Sequence, residues 1–298
     1  MTGTTLDGVH HVSAITADAP RNVDFYVRVM GLRLVKKTVN QDDPTVYHLF
    51  YGDEEGSPGE GMVHTVAFRV ASDEALGFWA ARLAAEGVSS ERRDGALRFA
   101  DPDGIGLELR VEAVPDRPLP AVAPDVPPEH ALIGFAGVRA YSARPGESAA
   151  LLEGALGFRP EGAGRWEARG ELRGGWIRYE PPPAERGLPG AGTVHHVAWA
   201  IPLGDEDGWQ ARVARAGARA TPVIDRFYFR SIYFREPSGV LFELATMGPG
   251  FAVDEDPAHL GEKLALPPFL EPQRARIEAA VTPLPPLDRL RRQPVEPA

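Results

Sequence analysis

VHHVAWAI at 194–201 echoes three earlier stretches of the chain: VHHVSAIT (9–16), VHTVAFRV (63–70) and FAGVRAYS (135–142). Each is a short apolar strand followed by an amphipathic helical stretch, respectively GDEDGWQARVARAG (204–217), APRNVDFYVRVMG (19–31), SDEALGFWAARLAAEG (72–87) and RPGESAALLEGALG (144–157). In the second of the four units, Ser72 is an N-cap with acidic residues behind it and Gly87 is a stop signal. Two units also share a closing strand, DPDGIGLELRV (101–111) and EPSGVLFELAT (236–246), in which an acid-Pro-x-Gly turn precedes an apolar run carrying Glu108 or Glu243. Letters this specific, recurring in the same order, describe one supersecondary unit written four times.

A β-α-β-β-β unit cannot bury its sheet face alone, so such units pair. The expected fold is α+β, with four βαβββ modules forming two barrel-like domains. The Pro-rich stretch PDRPLPAVAPDVPP (115–128) reads as a semi-rigid linker. It divides the chain into a first double module (1–114), the linker (115–129), a second double module (130–249) and a C-terminal tail (250–298). The tail is expected to carry a short helix at 271–281 and to wrap the second double module.

With 42 acidic against 32 basic residues, the net charge of −10 argues against a nucleic-acid surface, which needs clustered cations. The absence of cysteine removes disulfides, thiolate nucleophiles and thiolate metal sites, so a metal here would need nitrogen and oxygen ligands. The start MTGTTLDGVHHVSAI lacks the pattern of a signal peptide, and no long uninterrupted apolar run suggests a membrane span. These features lead us to expect a cytoplasmic protein without nucleic-acid or membrane partners. A homo-oligomer is compatible with the sequence.

Aligning the four opening strands places His11, Thr65, Gly137 and His196 in one column. The closing strands place Glu108 and Glu243 in another. The first module therefore offers His11, and the fourth offers His196 with Glu243. Two histidines and a carboxylate on rigid strands make the facial triad that holds Fe(II) with coordination positions left open. A fourth ligand would have to come from EEGSPGEG (54–61), which reads as a loop. A shared metal also requires modules one and four to face each other, leaving two and three as the metal-free pair.

Neighbouring strand residues point to opposite faces, so only one histidine of each doublet, His10-His11 and His195-His196, is expected to face a cavity directly. His64 aligns with His195 and reads as structural. His48, His130 and His259 have no aligned partners and receive the same reading. In DRFYFRSIYFREPSG (225–239), unbroken alternation would put Arg226, Tyr228, Arg230 and Ile232 on one face and Phe227, Phe229, Ser231 and Tyr233 on the other. Aromatic and cationic side chains beside a metal suit an aromatic phenolate.

These stretches, together with the FAVDEDPAHLGEKLALPPFLEPQR tail, resemble the hydroquinone-type ring-cleaving dioxygenases of the vicinal-oxygen-chelate superfamily, relatives of the extradiol dioxygenases and of glyoxalase I. The resemblance spans nearly the whole chain. It implies Fe(II), with Mn(II) second to it, held by His11, His196 and Glu243, and a small dihydroxylated aromatic substrate cleaved with O2. It also implies roles around the metal or substrate for His10, His195, Ser13, Arg226 and Tyr233. Ser13 stands where the family often has threonine, and His195 or Tyr233 would serve as general acid/base. One departure is an apolar strand and an Arg/Gly-rich loop that relatives carry between the equivalents of Pro58 and Gly61, so the first module is expected to lack its last strand.

Two other readings compete. A glyoxalase-like isomerase or lyase would want a fourth ligand, commonly on Zn or Ni. A metal-free binding protein would show small or apolar residues in the ligand column, as modules two and three do.

Overall fold

A computed structural model describes residues 5–52, 63–183 and 191–290. The strand between Pro58 and Gly61 and the loop at 54–61 lie outside the described residues. Strand β1 (Val9–Ile15) runs antiparallel to β12 (Thr193–Ile201), which lies parallel to β15 (Leu241–Pro249). β14 (Phe229–Arg235) and β13 (Ile224–Asp225) complete a five-stranded sheet built from modules one and four. The same logic builds the other half. There β4 (Thr65–Val70) of module two pairs antiparallel with β8 (Phe135–Tyr141) of module three and parallel with β7 (Gly106–Val111). β5 (Ser90–Arg93), β6 (Ala96–Ala100), β9 (Arg159–Pro160), β10 (Arg165–Arg169) and β11 (Gly174–Glu180) extend that sheet to eight strands. Modules one and two therefore sit in different sheets, as do modules three and four.

The helices cover these sheets and bury the tryptophans that the repeats carry. Trp79 of α2 (Asp73–Ala85) and Trp209 of α3 (Glu206–Arg215) are almost fully buried in the core with Leu83, Trp199 and Val213. Ser72 caps α2 by accepting from the Ala75 amide. The helical stretches of modules one and three are less regular. Residues 19–29 form a single α-turn region, α1 (Ala19–Val23), that widens into a π-helix at Asp24–Val29, and Pro145–Ala155 is a 3-10 turn followed by a π-helix. Sequence periodicity cannot separate these variants from an α-helix, because all of them keep one apolar face inward.

β2 (Arg33–Val39) and β3 (Tyr47–Gly52) form a hairpin that makes its own two-stranded sheet. The start of the C-terminal tail packs against the second double module, as expected, with Phe251 and Leu260 in a cluster with Ala198, Tyr228, Phe229 and Ala245, but the rest packs on this hairpin of the first. Val39 meets Leu266, Leu270, Ile277 and Val281, while Leu34 lies in a cluster with Val23, Val27 and Leu290. The Ala265 amide donates to the Lys37 carbonyl at 2.8 Å, and α4 (Arg274–Ala280) supplies the expected short helix. Lys36, wholly buried, donates to Asp254 at 2.7 Å and to Glu255, and lies over the Tyr228 ring. Burying an ammonium is costly unless it is paired, so this contact fastens the tail to the hairpin and to Tyr228. No helix among the described residues is long and apolar enough to cross a membrane.

Candidate metal centre

β1 and β12 place their histidines by register. Ser13 faces His196 and His11 faces Ala198, while Glu243 on β15 also lies opposite Ala198. The ligand atoms converge accordingly. His11 Nε2 is 3.0 Å from His196 Nε2 and 3.0 Å from Glu243 Oε2, and His196 Nε2 is 2.8 Å from the same oxygen. All three residues are buried, and theirs is the only such grouping of possible metal ligands found among the described residues.

The remaining atoms of these side chains are already engaged. His10 Nδ1 lies 2.8 Å from His11 Nδ1, and His195 Nδ1 lies 2.9 Å from His196 Nδ1. Ser231 Oγ donates to Glu243 Oε1 at 2.5 Å. These contacts orient the rings and carboxylate, leaving two Nε2 lone pairs and Oε2 directed at one another. Glu243 Oε2 is buried and makes no well-formed hydrogen bond despite the two ring nitrogens beside it. Two imidazole nitrogens and a carboxylate oxygen, orphaned together, fit a divalent first-row cation. Burial pushes the Glu243 carboxyl up, but the imidazoles of His11 and His196 outweigh it and hold it well below its usual range. Burial lowers His196 to about 4, so its ring is neutral at physiological pH.

The triad opens on a cavity of about 740 Å³. Ser13, Arg226, Tyr233 and His195 line it with His11 and His196, and His195 is exposed where it does so. Both members of the second doublet thus reach the cavity, unlike the expectation of one per doublet. His10 does not line it. A register shift in β1 between Val9 and His11 accompanies its placement behind His11, with its ring 5.5 Å from Phe229. There, burial and then the neighbouring His11 lower it to about 3. A smaller, mostly apolar cavity of about 90 Å³ between the two sheets contains none of the triad.

The alternation expected over 225–239 breaks. Phe227 adopts a left-handed φ of 68°, and the register of β14 against β15 shifts between Phe229 and Ser231. The break brings Arg226 and Tyr233, expected on opposite faces, together: the guanidinium sits 5.7 Å from the Tyr233 ring centre. Arg226 also donates to Asp42 at 3.1 Å. Tyr233 pairs across the strands with Glu243, and its ring lies 5.6 Å from that of His196. Burial, followed by the Glu243 charge, raises the Tyr233 phenol and keeps it a neutral donor.

Three contributors were missed from sequence. His48 and Thr38 face each other across the β2–β3 hairpin and both line the cavity, and Ser231, buried on β14, holds Glu243. The hairpin has no sister copy that marks its cavity face, so repeat alignment could not find His48. Its alternation with Phe50 was the available signal. The structural readings of the other histidines match their settings. His64 stacks on Tyr141 with ring centres 4.0 Å apart, His130 stacks on Phe78, and His259 pairs with Glu262 on the surface.

The family model for the Glyoxalase/Bleomycin resistance protein/Dioxygenase superfamily matches residues 8–109 and 134–244. The chain is 38% identical to the Bacillus subtilis (strain 168) protein named "Putative ring-cleaving dioxygenase MhqA", over 94% of this chain and 99% of that one. It is 33% identical to the chlorohydroquinone/hydroquinone 1,2-dioxygenase of Sphingobium indicum, over 89% of this chain and 93% of the relative. A crystal structure of a B. subtilis protein superposes with a TM-score of 0.85 at 38% identity, covering 95% of this chain and 99% of that chain. Glyoxalase I from Zea mays shares the fold, with a TM-score of 0.53 at 15% identity, covering 80% of this chain and 92% of that chain.

Proposed function

This chain belongs to the Glyoxalase/Bleomycin resistance protein/Dioxygenase superfamily and is a ring-cleaving dioxygenase, and from that premise we propose that it uses Fe(II) to insert both atoms of O2 into a dihydroxylated aromatic ring of the hydroquinone or catechol type. The observation that carries this reading is the convergence of His11, His196 and Glu243 on one point at the wall of a cavity large enough for a small aromatic.

In this reading His11, His196 and Glu243 hold the iron. When bound there, Fe(II) supplies open coordination positions and the electron transfer that allows O2 to react with the ring. The protein's own groups bind the substrate and handle protons. Arg226 compensates the negative charge of a phenolate, and Ser13 contacts it from β1. Tyr233, kept neutral, donates a hydrogen bond toward an oxygen beside His196. His195 stands exposed at the rim, where partial burial and then Arg235 lower its affinity for protons, so the neutral ring is favoured and can accept a proton. His10 acts through His11 by fixing its ring.

Anaerobic reconstitution with Fe(II), followed by O2 uptake with a panel of hydroquinones and catechols, tests the proposal. One ring should be opened per O2 consumed, and with labelled oxygen both labels should appear in the ring-opened product. A single label, or turnover without O2, would overturn it.

A further inference from the structure

The two cavities lie on opposite faces of the five-stranded sheet. Across β1 and β12 the pair Ser13 and His196 faces the triad cavity, whereas the next pair, Ala14 and Val194, lines the smaller one with Val12. Among the described residues β1 is an edge strand of that sheet, and at this edge the cavities meet: Ala14, Ile15, Thr16 and Asn22 line both. The other walls of the smaller cavity include Val66 on β4, Leu107 on β7 and Ala121 of the linker.

At about 90 Å³ this cavity exceeds what one water needs, roughly 10–15 Å³, but a water also needs polar partners. The polar side chains that line it are bonded elsewhere. Arg69 donates to the carbonyls of Phe135 and Ile133 at 3.1 and 3.2 Å. The Thr16 hydroxyl donates to Asp103 at 2.6 Å, and the Tyr51 hydroxyl donates to Asn22 at 2.9 Å. Among the described residues, no buried side-chain nitrogen or oxygen lacking a hydrogen-bond partner lines this cavity, whereas Thr38 brings one to the triad cavity. Apolar cavities of this kind stay dry and accept small apolar molecules.

We propose that the cavity between the sheets is a site for molecular oxygen, which passes from it around the edge of β1 into the triad cavity. The proposal rests on the dioxygenase reading above, whose small apolar reactant is O2. The apolar walls give O2 dispersion contacts for which water does not compete. The passage opens at Ala14, beside Ser13 in the chain, whereas β14 with Tyr233 lies toward the other end of the sheet. O2 therefore reaches the triad from the side away from Tyr233.

Crystals of the Fe(II)-loaded protein held under xenon test the site without turnover, since xenon is an apolar probe located by its anomalous scattering. Xenon should lie between Val12, Val66 and Leu107, and Ala121→Phe, which fills the cavity from the linker, should exclude it. Initial rates at varied O2 and saturating aromatic substrate test the supply. Ala121→Phe should raise the KM for O2 by about fivefold, equivalent to about 1 kcal/mol of lost apolar contact, with kcat and the KM for the aromatic unchanged. Val66→Phe fills the same space from β4 and should do likewise, so the test does not depend on one variant folding. Ordered water in the wild-type cavity, or no xenon there, overturns the proposal. So does an unchanged KM for O2 in a variant that excludes xenon. In each of these cases O2 uptake with a dihydroxylated ring would leave the dioxygenase reading standing. If no such ring consumes O2, that reading fails and the assignment of O2 to this cavity fails with it.

Discussion

His11 and His196 bring their Nε2 atoms to 3.0 Å from each other although 185 residues separate them. The approach is enforced from both sides. Antiparallel pairing of β1 with β12 sets the backbone, and His10 and His195 each engage the outer nitrogen of the ring beside it. With Glu243 Oε2 within 3.0 Å of both, the cluster is compact enough to be satisfied by one shared cation.

The protein should therefore bind one iron per chain. His11→Ala, His196→Ala or Glu243→Gln should each abolish tight binding, seen as iron content falling from near one to near zero after desalting. A wild-type stoichiometry near two, or iron retained in His196→Ala, would remove the triad.

Ser231→Ala should weaken iron binding by about 10–100-fold, the usual effect of losing a residue that orients a ligand. The hydroxyl fixes Oε1 of Glu243, and without it the fully buried carboxylate loses its orientation. Competition with a chelator of known affinity measures this, and unchanged affinity would mean that strand packing alone positions Glu243.

The triad was legible in the sequence because its ligands sit in repeated strands, where a period of two and shared turn letters fix which residues meet. His11, His196 and Glu243 fall at matching places in β1, β12 and β15. His48 was not legible, since β2–β3 forms a separate sheet without a repeated landmark. The contact between Arg226 and Tyr233 depends on one left-handed residue, Phe227, at a position where sequence gives no glycine to announce the break. The tail's docking on module one was hidden for another reason. Its apolar residues are spaced irregularly among prolines, and the buried charge of Lys36 pairs with acids far along the chain.

Stability of the metal-free protein should fall as pH drops from about 6.5 toward 3. His10 and His48 are lowered to about 3 and His196 to about 4, each chiefly by burial. In that window the unfolded chain binds protons that the folded chain does not, so unfolding becomes easier with acid. The slope contributed by each histidine is at most about 1.4 kcal/mol per pH unit, and less for His10 and His48, whose side chains are only partly buried. Urea midpoints measured between pH 4 and 8 in the presence of a chelator check the sign. A midpoint that rises on acidification would contradict it.

Tyr233→Phe and His195→Ala, the latter loaded with excess Fe(II) because His195 also orients His196, should each lower turnover at full iron occupancy, at least one of them by about tenfold or more, since a positioned proton donor or acceptor is typically worth 10²–10⁴-fold. The two differ in where they act. Tyr233 is a buried neutral donor beside His196, so its loss should be felt across the pH range. His195 is exposed and titratable, so its loss should flatten the acid limb of the pH–rate profile. If neither variant reaches tenfold with full iron occupancy, neither residue moves a proton in the reaction.

The other half of the molecule shows why a second metal is not expected. Glu108 lies opposite Ala67 on β4, as Glu243 lies opposite Ala198 on β12. Around it, Thr65 stands where His196 would be and Gly137 where His11 would be. A side chain at Gly137 would collide with Trp176, which occupies that space. Arg139 takes the strand position of Ser13, facing Thr65 as Ser13 faces His196. Its guanidinium donates to both oxygens of Glu108, at 2.9 and 3.1 Å, and Arg98 and Arg110 add further contacts. Burial pushes Glu108 up, but these arginines hold it below its usual range. A protein cation thus fills the role that a metal ion would play in the first half. Glu108→Gln should leave iron content at one, in contrast to Glu243→Gln. Arg139→Leu should destabilise the fold by about 3 kcal/mol, toward the low end for breaking a buried pair because Arg98 and Arg110 remain. The double variant Arg139→Leu/Glu108→Leu should recover most of that loss in urea denaturation. Recovery would show that Arg139 neutralises Glu108 and does little else. A double variant as unstable as the single one would mean that Arg139 holds the second half together through Glu180, to which it also donates at 2.5 Å.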